Sequence, residues 1–217
     1  NTPTITNNGT IELASQGAFT TLEAFDTHAT LSGSGEVVLG NNSLNLIQPF
    51  GSSASITNDV NHTIRGGGTV KGPLSNNGII RADVPGNTML IEGVITNTGD
   101  LTTGNAKTLQ IGSTFESATV NGGSVNPGSG TIDLKGGKLS QTTIGSGNVS
   151  VTTSSTLSGN NANSAHFTVE GATLYLKNTP TITNNGTIEL ASQGVSTKLE
   201  AFGTYATLSG SGEVVLG

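Results

Sequence analysis

The chain has 217 residues, a net charge of −6, 10% charged and 4% aromatic side chains, 32 glycines and no cysteine. Disulfides, thiolate metal sites and cysteine nucleophiles are therefore excluded, and the scarcity of Lys and Arg argues against nucleic acid or an anionic membrane as partner. Only 32% of residues are hydrophobic, against about 45–50% apolar in an ordinary domain, so the chain lacks material for one thick core and calls for a thin core extended along an axis.

In chain order, short apolar–x–apolar triplets recur: Ile11-Glu-Leu13, Val37-Val-Leu39, Leu44-Asn-Leu46, Leu109-Gln-Ile111, Ile132-Asp-Leu134, Val149-Ser-Val151, Phe167-Thr-Val169, Leu174-Tyr-Leu176 and Ile188-Glu-Leu190. Each puts two side chains on one face with a mostly polar residue between, the period-two pattern of a half-buried strand. Ile, Val and Thr dominate them, which favours strand over helix. Between them stand corner signals such as Asn7-Asn-Gly9, Gly33-Ser-Gly35, Gly66-Gly-Gly68, Asn76-Asn-Gly78, Asn97-Thr-Gly99 and Gly128-Ser-Gly130, in which Asn and Gly tolerate positive φ. Strands of about three to five residues with frequent corners suit a coil whose turns stack and hydrogen-bond to one another. The predicted fold is all-β, a parallel β-helix (β-solenoid), right-handed by the chirality of parallel crossovers. The alternative is a pair of antiparallel sandwich domains, which usually carry longer strands and a large aromatic in each core.

Residues 178–217 repeat residues 1–40 with five differences: Ala18/Val195, Phe19/Ser196, Thr21/Lys198, Asp26/Gly203 and His28/Tyr205. Gly9 aligns with Gly186, so one period closes at Lys177. We therefore read residues 1–177 as one full repeat unit and 178–217 as the start of the next, continuous with the same solenoid, in a parent protein expected to extend both ways. At roughly 20–26 residues per turn, a unit makes about seven to nine turns and about 35–43 Å of rod. No stretch approaches the roughly 18 apolar residues of a membrane span, and no signal peptide is visible, though a piece of a longer protein would have lost one.

The phrases TITNNGTIELAS, VNHTIRGGGTVKGPLSNNGIIRAD, VITNTGDLTTGNAKTLQIG and GSGTIDLKGGKL resemble the N-N-G-T-I and N-T-G-x-L grammar of large repetitive bacterial β-helical surface proteins and exoproteins, filamentous-haemagglutinin-like or autotransporter-adhesin-like. The resemblance is a loose pattern over nearly the whole chain. It implies an extracellular or cell-surface rod serving adhesion, matrix or filament formation. The expected partners are the chain itself, through coaxial repeats and filament neighbours, and a host or surface glycan or protein; nucleic acid and membrane insertion are not expected.

No residue is assigned a catalytic, cofactor-binding or metal-binding role, and the chain is not expected to be an enzyme. The competing reading is a carbohydrate-active or carbohydrate-binding β-helix with a site assembled between turns. Glycoside hydrolysis needs two carboxylates about 5–9.5 Å apart, whereas the acids here are isolated in sequence, so the discriminator is a groove gathering carboxylates from neighbouring turns. Glu12 and Asp133 are read as solvated side chains alternating with core residues. His28 and Asp26 become Tyr205 and Gly203 in the second copy, which weakens that pair as chemistry. Asp59, His62 and Arg65 make an imaginable site, but a surface turn of ordinary polar residues is the preferred reading. Lys71, Lys135 and Lys138 are too sparse for a basic groove.

Asn-x-Ser/Thr triplets begin at Asn8, Asn41, Asn61, Asn148 and Asn185; they are read first as corner residues, where asparagines can also bond amide to amide between turns. Three structural expectations follow. The five differences lie outside the core. The interior is built from Ile11, Leu13, Val37, Leu39, Leu109, Ile111, Ile132, Leu134, Val149, Val151, Phe167, Val169, Leu174 and Leu176, with Glu12, Gln110, Asp133 and Ser150 outward. The unit start, with Glu12, Glu23, Asp26 and Glu36 and no cation, should make rods repel sideways at low salt.

Overall fold

A computed structural model describes residues 2–84, 87–178, 181–203 and 205–217. Among these residues there is no helix: short strands, every pair of them parallel, stack into a three-sided β-solenoid. In the first turn, Thr4–Thr6 lies on face I, Thr10–Leu13 on face II and Thr20–Phe25 on face III. The second turn repeats this order with His28–Ser32, Glu36–Leu39 and Asn45–Phe50, each paired in parallel with the strand one turn below. Face II stacks ten strands among the described residues.

Parallel register fixes turn length. Along face I, Thr30 pairs Thr57 and Thr57 pairs Ser75, so the first of these two turns is half as long again as the second. The difference lies in the corners, because the strands that must stack keep similar lengths. Turn length thus varies more widely than the sequence predicts. One element, Met89–Asn97, is unusually long because it belongs to two faces: Ile91 pairs Val70 on face III and Ile95 pairs Leu74 on face I. Gly93 turns this corner with φ +72°, a left-handed conformation that costs glycine little.

Side-chain alternation does the rest. In Ile132-Asp133-Leu134 the two apolar residues are fully buried and Asp133 stands on the outer side. The column continues through Val149 and Val151, then Phe167 and Val169, by direct pairing. Thirteen of the fourteen predicted interior residues are buried. Ile11 is the exception: it is only partly buried, with a turn stacked on one side of it, whereas its repeat counterpart Ile188 lies between Phe167 and Val214 and is buried. The triplet Leu44-Asn45-Leu46 has the opposite register from the one its apolar ends suggest. Asn45 is buried between two half-buried leucines, accepting from Ser15 N and donating to Gly40 O, and Ile47 follows it inward.

The two copies of the repeated segment do not occupy the same faces. Thr4–Thr6 is on face I, but its counterpart Thr181–Asn184 is on face II. Likewise Thr10–Leu13 is on face II and Thr187–Ala191 on face III. Glu36–Leu39 is on face II and Glu213–Leu216 on face III. The unit of residues 1–177 therefore makes eight turns and one third. The unit boundary at 177/178 falls inside a turn, and the strands flanking it, Thr173–Lys177 and Thr181–Asn184, pair with the turns before and after them.

Candidate functional site

The corner between faces I and II carries a buried polar column. Asn58 donates from Nδ2 to Asn76 Oδ1 at 2.7 Å, and Asn76 donates to Asn97 Oδ1 at 2.8 Å. All three are at most 2% exposed, so the amides replace water for one another and for nearby backbone carbonyls. The next turn places Gly122 and Gly123 at this corner; a Cβ on Gly123 would collide with the Asn97 amide, and Asn97 donates instead to the carbonyls of Gly99, Gly122 and Ser124. The predicted amide stacking thus exists, but through other residues: Asn8, Asn41, Asn61, Asn148 and Asn185 are all exposed. In Asn-Asn-Gly corners the first asparagine turns inward and the second outward.

His62 closes the other end of the column, and the expectation of a surface position for it is wrong. Its ring is fully buried, with Nδ1 2.8 Å from Asn58 Oδ1 and Nε2 3.3 Å from Asn7 Nδ2. Asn7 is held in one orientation because its Oδ1 accepts from Gly9 N and its Nδ2 donates to Glu36 O. His62 is therefore neutral with its proton on Nδ1, donating to Asn58 and accepting from Asn7. Burial pushes its pKa below the ordinary value, and nearby Asp59 only partly opposes this. No site of Asp59, His62 and Arg65 forms: Asp59 Oδ1 accepts from Val60 N, and Arg65 reaches outward along face II.

There Arg65 makes a two-point pair with Glu36, at 2.6 and 2.9 Å, and approaches Asp83 Oδ1 at 3.6 Å. Arg81 pairs with Asp83 at 3.0 Å. The Arg65 hydrogen bond holds the Glu36 carboxyl below its usual range. A second network lies on face III, where Lys71 bridges Glu92 at 3.0 Å and Glu116 at 3.2 Å. Burial is the largest single influence and opposes the Lys71 charge, but the hydrogen bonds and the negative charge of Glu92 and Glu116 together outweigh it and raise the pKa. Carboxylates from neighbouring turns are thus gathered twice, each time around a cation.

These networks were not legible as motifs because they join residues of different turns; pairs such as Glu92 and Lys71 become neighbours only through register. They also alter the charge picture of the unit start: Glu36 has its cation in the next turn, and Glu23 accepts a hydrogen bond from Gln48 at 2.7 Å. Asp133 points outward as expected but is not freely solvated. It is half-buried, its Oδ1 has no hydrogen-bond partner, and burial raises its pKa against the pull of Lys135.

The variable positions all lie outside the core: Ala18, Phe19, Thr21, Asp26 and His28, and Val195, Ser196, Lys198, Gly203 and Tyr205, are exposed. Phe19 and Thr21 line an open groove on face III with Ser43, Leu46, Gln48, Thr69 and Lys71. The exposed Phe25 and Phe50 stack at 5.6 Å along the neighbouring corner, and Phe202, the counterpart of Phe25, meets Tyr175 edge-on at 5.7 Å. A second groove on face II, lined by Gln141, Thr142, Thr143, Asn160, Asn161, Ala162, Thr181 and Thr183, holds no titratable side chain. Among the described residues, no group of three or more His, Asp or Glu is placed to hold a metal ion. No family model, curated protein or solved structure matches the chain, so a functional reading has to rest on the coil and its surface.

Proposed function

We propose that this chain is a structural segment of a stiff rod in a secreted or surface-attached protein, with an adhesive role for the exposed loops that vary between units. The observation that carries the reading is the continuity of the stack where one unit meets the next. Strands on all three faces pair across the meeting point, and the second copy remakes the contacts of the first: Asn184 Nδ2 donates to Glu213 O as Asn7 Nδ2 does to Glu36 O. A junction paired on every face turns sequence repetition into length, about 40 Å per unit at roughly 4.8 Å per turn. Variation is tolerated where it touches no core residue, as expected of a surface that can change its contacts without unfolding the rod. The reading assigns the chain no catalytic step. Electron microscopy of the full-length protein tests it: a straight rod lengthening by about 40 Å per unit is expected, and compact globules or beads on flexible linkers would overturn it.

A further inference from the structure

We infer that successive units present their shared surface from successive faces of the rod, turned by one third of a revolution each time, so that three units complete one cycle. The inference rests on the rod reading and adds an arrangement to it. All five strands of the first copy have counterparts one face further on: Thr20–Phe25 on face III becomes Lys198–Ala201 on face I, and His28–Ser32 on face I becomes Thr207–Ser209 on face II, with the other three shifted in the same sense. Local contacts survive the shift: Asn8 Oδ1 accepts from Ser34 N at 3.1 Å, and Asn185 Oδ1 from Ser211 N at 3.2 Å. The pairing within the segment is also kept, Thr4 with Thr30 and Thr181 with Thr207. The segment therefore folds as its own sequence dictates, and its direction is set by how many faces the chain has crossed since the previous copy. Eight full turns of three faces plus one face is not a whole number of turns, so the direction cannot repeat from one unit to the next.

The consequence concerns partners. The variable loop after Leu13 projects from the edge between faces II and III, and its counterpart after Leu190 from the edge between faces III and I. Repeated over units, the loop winds around the rod. It returns to one edge after three units, about 25 turns and about 120 Å of rod. A partner that grips the loop then finds it on every side, so rods can be tied to neighbours in all lateral directions. A long partner lying along one edge meets the loop only at every third unit.

Cysteine pairs test the shift, since the chain has no cysteine of its own. Facing residues of adjacent parallel strands lie within the reach of a disulfide. Thr168→Cys with Glu189→Cys, paired on the outer side of face III, should close on mild oxidation, and so should Tyr175→Cys with Glu200→Cys on face I. Were the second copy on the faces of the first, Glu189 would lie on face II above Ala162, and Ala162→Cys with Glu189→Cys would close instead. Gln110→Cys with Asp133→Cys reports on the coil independently of the shift. Closure of that pair and of Ala162/Glu189, with Thr168/Glu189 open, would overturn the inference and leave the rod; failure of Gln110/Asp133 to close would overturn both. In the full-length protein, biotin placed in the repeated loop and marked with streptavidin should appear at three azimuths, each recurring about every 120 Å. A single row of marks about every 40 Å would overturn the winding and keep the rod.

Discussion

The apolar column Ile111–Leu134–Val151–Val169 and the amide column Asn58–Asn76–Asn97 both run from turn to turn, built by opposite rules. The apolar column changes residue at almost every step, because burial of hydrocarbon is non-directional and like-sized side chains substitute for one another at small cost. The amide column keeps one residue type, because each Nδ2 must find the Oδ1 of the next turn. When the column stops, the chain supplies Gly123, whose lack of a Cβ leaves room for the Asn97 amide, and the backbone carbonyls of Gly99, Gly122 and Ser124, and at the other end an imidazole in the one tautomer that fits. Apolar stacking thus supplies adhesion between turns, and the amides supply register.

The sharpest way to break this contrast is Asn76→Leu. It leaves the Asn97 Oδ1 acceptor without its donor and removes one acceptor from Asn58, at about 1–3 kcal/mol per buried unsatisfied group. A loss of about 3 kcal/mol in urea unfolding is expected, and a loss under about 1 kcal/mol would show the column to be incidental. His62 comes next. Its folded pKa lies below the unfolded value near 6.5, so the neutral ring's contribution is complete above that value and is lost as pH falls through it toward the folded pKa. A protonated Nε2 would face the Asn7 Nδ2 donor. Stability measured from pH 8 to pH 5 should decline in the parent and stay flatter in His62→Gln, which can still donate and accept; identical profiles would rule the histidine out.

On the apolar side, Ile132→Val should cost only about 1 kcal/mol. A cost equal to that of Asn76→Leu would erase the distinction between the columns. The smallest effect is expected at Asp133, where burial raises the pKa. The fold favours the protonated form, so stability is fullest below the unfolded pKa and is lost as pH rises through the folded one. Asp133→Asn should therefore raise stability slightly at neutral pH, and a clear loss would show that the carboxylate has a partner in solution.

Much of the interior was legible, because a residue such as Ile132 or Val151 announces itself by alternation within three or four positions. His62 was not: nothing local distinguishes a buried imidazole from a surface one, and its burial depends on Asn7, two turns earlier. Asn45 was missed for a related reason, since its leucine neighbours mimic an inward pair while a capping role on the Ser15 and Gly40 backbone draws the amide inside. Arg65 with Glu36 and Lys71 with Glu92 were hidden because corners of unequal length change the spacing between stacked residues from turn to turn.

By itself the sequence determined the strand-and-corner grammar, the parallel coil and the length of the repeat unit, because these follow from alternation, turn chemistry and self-similarity. The tertiary structure alone decided the face on which each strand lies, and so the directions in which identical segments point. A side chain's inward or outward choice repeats at every second position, but a strand's place among three faces depends on a count of every corner since the last copy. Two segments of nearly the same sequence can therefore fold alike and still look out from different sides of the rod.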